Sequence, residues 1–261
     1  MALIIAGRPR SGTTILQTLC DKHPDIALTN EFGNFLYLDQ QYLDHAWNIF
    51  DRCQRVKGKW TFEIDSFGSK KPLAVVNLLF AAQYLWHLRK NYRKTVTVEA
   101  IEATYKLMYP NAKVIGDKLP HYLLSMRKLA SQENLKRLVI YRDCRDVTSS
   151  FLKQARTNWK EAPWIHKLDT AEKIATSWVR DIDIMESLSE RLMIVQYEKL
   201  MHQPEQELAR ISDWLGVDPA GFQKELLSTE SIGKHKKGLT PDELETVMQV
   251  AGPTMERLGY L

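Results

Sequence analysis

The loop Gly7-Arg8-Pro9-Arg10-Ser11-Gly12-Thr13-Thr14 constrains this chain more than any other feature. Before it, Leu3–Ala6 is an apolar run too short for a helix and reads as a buried strand. After it, Ile15, Leu16, Leu19 and Cys20 keep helical spacing between Ser11 and His23, and Pro24 stops the pattern. Strand, glycine-bearing loop and helix in that order make a junction where backbone N–H groups converge. The helix N-terminus adds partial positive charge, so the junction suits an anion.

Its spacing matches the phosphate-loop pattern G-x-x-x-x-G-K-[ST] at both glycines, and Thr14 takes the final hydroxyl position. Thr13 stands where the lysine belongs, and Arg10 supplies a cation from inside the loop. Nucleoside triphosphatases use that lysine with a magnesium ion to handle β- and γ-phosphates. No strand-ending Asp stands out as a magnesium holder. The loop therefore reads as a site for a phosphate-like group handled without metal.

Short apolar runs recur downstream, at Ile26–Leu28, Lys113–Gly116, Leu135–Tyr141 and Met193–Gln196. Helical patterns fall at Asp146–Ala155, Ala171–Glu190 and Glu205–Leu215, with Gly216 suited to close the last. Thr240-Pro241-Asp242-Glu243 is a capping box with proline at the first helical position. Strands alternating with helices predict a three-layer α/β fold with a central, mostly parallel sheet and helices on both faces. About residues 36–108 break the pattern and read as a helical insertion. Its aromatics, Trp47, Trp60, Trp86, Phe50, Phe62, Phe67, Tyr84 and Tyr92, are expected chiefly in that insertion's core.

At 261 residues, one domain over 1–261 is expected. With 44% hydrophobic residues, disordered and collagen-like classes are excluded. A net charge of +4 gives no sign of nucleic acid as a partner. Cys20, Cys53 and Cys144 have neither metal-ligand spacing nor a disulfide framework, and no apolar run approaches a membrane span. A cytoplasmic protein without a metal, a signal peptide or a membrane span is expected; the oligomeric state is left open.

A second anion site is expected at Arg142-Asp143-Cys144-Arg145-Asp146-Val147-Thr148-Ser149-Ser150. Arg142 ends a strand, Asp146 is expected to cap the following helix, and Ser150 lies one turn in. Together with Arg10–Thr14, these residues resemble the two signature loops of sulfotransferases that use 3′-phosphoadenosine 5′-phosphosulfate (PAPS). The separation of eight between Arg142 and Ser150 is the family's. The resemblance continues in Tyr197-Glu198-Lys199-Leu200 and in the basic loop Ser231–Leu239. It is nearest to the bacterial and Golgi-type branch, which includes tyrosylprotein sulfotransferases, and it covers 36–108 only loosely.

The resemblance implies a P-loop-like fold with PAPS as donor and no metal. It implies that Arg10, Ser11, Gly12, Thr13 and Thr14 hold the 5′-phosphosulfate and that Arg142 and Ser150 hold the 3′-phosphate. Tyr197 would lie near the nucleotide, and Lys234 and Lys236 would add charge near the phosphates. His235 departs from the tryptophan usual after the loop's basic residue. A family serine that assists the catalytic lysine is either Ser228 or Ser231.

Glu31, 21 residues after Arg10 as in tyrosylprotein sulfotransferases, is the expected base. An ordinary Glu, with a pKa of about 4.3, is a weak base at neutral pH, so burial near Phe32 and Phe35 is expected to raise it. Lys118 is the expected acid or electrostatic catalyst, and pairing with Asp117 is its structural alternative. His121 is the alternative base. The acceptor is expected to be a hydroxyl of a small molecule, sugar or lipid, with an amine possible. Asn158–Trp164 is a candidate cap over its site. Two other readings stay open: a P-loop kinase or NTPase using ATP, and a non-catalytic nucleotide-binding protein.

Overall fold

The structure, a computed structural model, describes residues 1–55 and 73–261. Five strands form one sheet: β1 (Ala2–Gly7), β2 (Ile26–Asn30), β3 (Val114–Lys118), β4 (Leu135–Tyr141) and β5 (Met193–Gln196). Their order is β2-β3-β1-β4-β5 and every pairing is parallel. Period-two alternation sends Ala2, Ile4 and Ala6 of β1 to one face and Leu3 and Ile5 to the other. Both faces are covered, as a parallel sheet requires.

On the Leu3 face pack α1 (Thr13–Asp21), α8 (Tyr197–His202) and α9 (Pro204–Leu215), through Leu16, Leu19, Leu200, Leu208 and Ile211. The Ala2 face is covered by α2 (Tyr42–Arg55), α3 (Leu73–Asn91), α4 (Val98–Met108), α5 (Met126–Leu129), α6 (Cys144–Arg156), α7 (Ala171–Ser187) and α11 (Pro241–Arg257). The short α10 (His235–Gly238) packs on α6. This is the expected three-layer α/β fold.

The expected insertion is helical where it is described, as α2, α3 and α4. Its aromatics divide. Tyr84 is fully buried, whereas Trp47 and Trp86 are 75% and 62% exposed, so they are not core residues as expected. Trp60, Phe62 and Phe67 lie outside the described residues. Among the described residues no helix is long and apolar enough to cross a membrane.

Candidate active site

The site lies at the carboxyl ends of the strands, where open α/β sheets bind ligands. β1 ends at Gly7 and α1 begins at Thr13. Between them Gly12 adopts φ +96°, and a Cβ there would stand 2.4 Å from the Tyr197 ring. Only glycine fits this turn and this approach. Arg10 also has positive φ, +76°. Non-glycine residues reach this region only where surrounding structure holds them.

A cleft of about 550 Å³ opens over the loop. Arg10, Gly12, Thr13 and Thr14 line it from the loop and Arg142, Ser150 and Tyr197 from the opposite side. Except for the buried Ser11, the residues expected at the two anion sites thus share one cleft, and Arg10 Nε donates to Ser150 Oγ at 2.9 Å. Burial, with the Arg142 charge beside it, pushes the Arg10 guanidinium below its ordinary pKa. Two cations placed together this way call for an anion between them. Ser11 is fully buried, and its Oγ, like Arg142 Nε, has no partner among the described residues. Buried donors of this kind ordinarily have acceptors. Two guanidiniums with the unpartnered Ser11 Oγ and Arg142 Nε fit the phosphate and phosphosulfate groups of PAPS.

Asp146 does not cap α6. The N-cap is Asp143, whose side chain accepts from the Arg145 N–H. Asp146, in the first turn, is 2% exposed and accepts from Arg142 Nη2 at 3.1 Å. It also accepts from the N–H groups of Gly233 and His235 at 2.8 and 2.9 Å, and His235 Nδ1 lies 2.8 Å away. Burial opposes the charge, yet the His235 and Gly233 bonds and Arg142 hold the carboxyl below the usual range. Asp146 is therefore ionised, and His235 Nδ1 carries the proton in that bond.

His235, the departure from the family pattern, thus anchors the basic loop to α6. Arg142 is further fixed by Trp178 Nε1, which donates to its carbonyl at 2.9 Å, and by stacking 4.5 Å over the Tyr197 ring. Its Nη2 also donates to the Ser231 carbonyl.

The basic loop is only partly as expected. Lys234 lines the cleft; Lys236 does not, and Lys237 does. The short α10 turns these neighbours in different directions. Lys153, on α6, also lines the cleft and was missed in the sequence, where it reads as one more solvated helix charge. Ser231 borders the cleft, while Ser228 Oγ accepts from the Glu230 N–H.

Glu31 and Lys118 stand at the adjoining ends of β2 and β3. Lys118 Nζ lies 3.0 Å from Glu31 Oε1, so Lys118 pairs with Glu31 and not with Asp117. The reason is strand alternation: β3 runs through Lys118 and turns successive side chains to opposite faces. Asp117 points into the core, where Tyr122 Oη, Thr29 Oγ1 and the N–H groups of Phe32 and Gly33 donate to it. Burial raises its pKa despite these bonds. Its role is to fasten the turn that follows Glu31.

Glu31 has φ +61°, its N–H donates to the Lys118 carbonyl at 2.6 Å, and the Glu31 carbonyl accepts from Arg52 Nη2 at 2.7 Å. The expected burial of its carboxylate is absent: the side chain is 42% exposed, and Phe32 packs edge-on against Phe80 and Tyr84. Lys118 is the buried partner, at 2% exposure. A buried ammonium needs a counter-charge, and Glu31 supplies it.

Arg8 was also missed. It is 4% exposed and pairs with Asp181 at 2.7 Å, tying the loop to α7. Nothing local in the sequence links residues 173 positions apart. Glu31 and His121 share a second cavity, of about 380 Å³, with Trp159 and Trp164 of the candidate cap.

Comparison with known proteins agrees with this architecture. Residues 2–220 match the model of the sulfotransferase family. The nodulation protein NoeE of Sinorhizobium fredii (strain NBRC 101917 / NGR234) is 23% identical over 284 residues, covering 98% of this chain. This chain spans 65% of the length of that relative. The sulfotransferase domain from the curacin biosynthetic pathway superposes with a TM-score of 0.55 at 15% identity, covering 97% of this chain and 96% of its own. Mouse sulfotransferase SULT7A1, solved in complex with PAP, gives 0.52 at 13% identity, with 98% and 84% covered. The two structures share the fold, and the family match over most of the length shows that the chain belongs to the sulfotransferase family.

Proposed function

We propose that this protein transfers a sulfuryl group from PAPS to an acceptor hydroxyl of a small molecule, sugar or lipid, releasing adenosine 3′,5′-bisphosphate. One observation carries the reading: the Glu31–Lys118 pair stands beside the loop that holds Arg10, at the same edge of the sheet. The pair supplies a base and a cation, and the loop supplies an anion site.

PAPS, when bound, supplies an activated sulfuryl group on a phosphate leaving group. Arg10, Ser11, Gly12, Thr13 and Thr14 hold its 5′ end, and Arg142 and Ser150 its 3′-phosphate. Tyr197 packs beside the nucleotide, and Lys234 and Lys237 add positive charge at the rim, the place expected for Lys236. Glu31 takes the acceptor hydroxyl proton on a carboxylate oxygen. Lys118 Nζ stabilises the charge that grows on the bridging oxygen as the sulfur–oxygen bond to the leaving phosphate breaks. Glu31 is preferred to His121 as base because it already bonds Lys118.

The test is incubation with sulfur-labelled PAPS and a panel of phenols, alcohols and sugars. Label passing to a hydroxyl compound, and failing to pass with Glu31→Gln, is the expected result. Label passing equally well with Glu31→Gln would remove Glu31 as base. No transfer to any acceptor, with ATP–magnesium bound more tightly than the bisphosphate, would overturn the reading.

A further inference from the structure

The second cavity specifies the acceptor more closely. Pro9 lines this cavity while Arg10, the next residue, lines the nucleotide cleft. Phe151 faces the cavity while Ser150 and Gln154, on the same helix, face the cleft. The loop and α6 therefore border both the cleft and the cavity, which adjoin along them. Glu31 opens into the cavity, so an acceptor placed there presents its hydroxyl to the base.

Its walls are aromatic. Phe151 and Trp159 meet edge-on with centroids 5.1 Å apart, and Trp159 and Trp164 lie 5.3 Å apart at 59°. Among the described residues, no lysine or arginine lines it. Among the described residues its ionisable groups are Glu31 and His121. Burial pushes the His121 imidazole below its usual pKa, so it is neutral at neutral pH.

Three consequences follow. An anionic acceptor would meet a carboxylate already paired with Lys118, and no further cation among the described lining residues. A sugar would bring several hydroxyls to a wall whose polar groups, among the described residues, are Glu31, His121 and two indole N–H groups, and unpaired buried hydroxyls are costly. An apolar or flat body would cover the rings and gain from doing so.

Resting on the transfer reading above, we infer that the acceptor is an uncharged, largely apolar hydroxyl compound, held against Phe151, Trp159 and Trp164 with its hydroxyl on Glu31.

The experiment is calorimetry at saturating adenosine 3′,5′-bisphosphate with three probes: 2-naphthol, anionic 4-hydroxybenzoate and methyl glucoside. Label transfer from PAPS to each probe is measured in parallel. The expected result is that 2-naphthol binds and takes label at least about tenfold better than the other two. Trp159→Ala and Trp164→Ala should each weaken 2-naphthol by about tenfold or more while leaving bisphosphate affinity unchanged. Intact bisphosphate binding reports that each variant is folded, and the second variant serves if the first is not. Equal or better binding of the glucoside or of 4-hydroxybenzoate overturns the inference, as does 2-naphthol binding that neither tryptophan affects. If the bisphosphate binds and 2-naphthol does not, this inference alone fails. If the bisphosphate itself does not bind, the donor reading fails first.

Discussion

Replacing Asp146, which lines the nucleotide cleft beside Arg142, with alanine should disable the cleft without removing any of its cations. The carboxylate is 2% exposed and holds Arg142, two backbone N–H groups and the His235 ring. A hydrogen bond to a charged group is worth about 1.5–3 kcal/mol. Removing one partner of a buried pair costs about 3–5 kcal/mol, because the other charge is left uncompensated. Arg142 keeps its contacts with Ser231 and Tyr197, which places the expected loss near the lower end of that range, about 3 kcal/mol.

The basic loop 233–237 would also lose its anchor, so bisphosphate affinity should fall with stability. Urea unfolding of wild type and Asp146→Ala, each with and without adenosine 3′,5′-bisphosphate, measures both. The wild type should gain stability from the ligand, and the variant should gain much less. A variant within about 1 kcal/mol of wild type, with an undiminished ligand gain, would refute the clasp.

Three further expectations can be checked on the same protein. His45 is fully buried between the Tyr37 carbonyl and Tyr84 Oη, and burial lowers its pKa to about 4. Its folded pKa lies below the unfolded value of about 6.5, so the unfolded chain binds more protons between them and stability falls on acidification through that window. The loss is on the order of 3 kcal/mol at its acid end. Urea midpoints measured from about pH 7 to about pH 4.5 should drop less steeply in His45→Gln than in wild type, and equal slopes would contradict this.

Glu31→Gln should cut sulfuryl transfer by about 10²–10⁴-fold in a labelled-PAPS assay while calorimetry shows intact bisphosphate binding. Gly12→Ala should cost about 1–3 kcal/mol in urea unfolding and weaken the bisphosphate, because its φ is +96° and the methyl would strike Tyr197. Wild-type behaviour in both measurements would mean that the loop is not held as described.

Much of the fold was legible because short apolar runs bounded by turns are too short for helices and read as buried strands. Leu135–Tyr141 and Met193–Gln196 have the ends read from the sequence. The glycine loop was legible because two glycines at fixed spacing state a backbone requirement. Boundaries set by long-range pairing were not. β3 runs to Lys118, beyond the apolar run, because β1 and β2 pair with its last residues. That extension decides that Lys118 meets Glu31 while Asp117 turns into the core.

The α6 cap was misread for a related reason. Asp143 and Asp146 both suit a helix start, and only the distant loop 233–235 selects Asp146 as its anchor. Arg8–Asp181 and the placing of Lys237 rather than Lys236 at the cleft are likewise tertiary facts with no local signal.

The most direct test of the donor reading is calorimetry with adenosine 3′,5′-bisphosphate, with AMP and with ATP–magnesium, on wild type and Arg142→Ala. The account predicts that wild type prefers the bisphosphate to both other nucleotides. In Arg142→Ala the preference over AMP should shrink roughly 10- to 150-fold, the worth of one charged hydrogen bond to the 3′-phosphate. Tighter binding of ATP–magnesium, or an Arg142→Ala variant that weakens AMP and the bisphosphate equally, would contradict it.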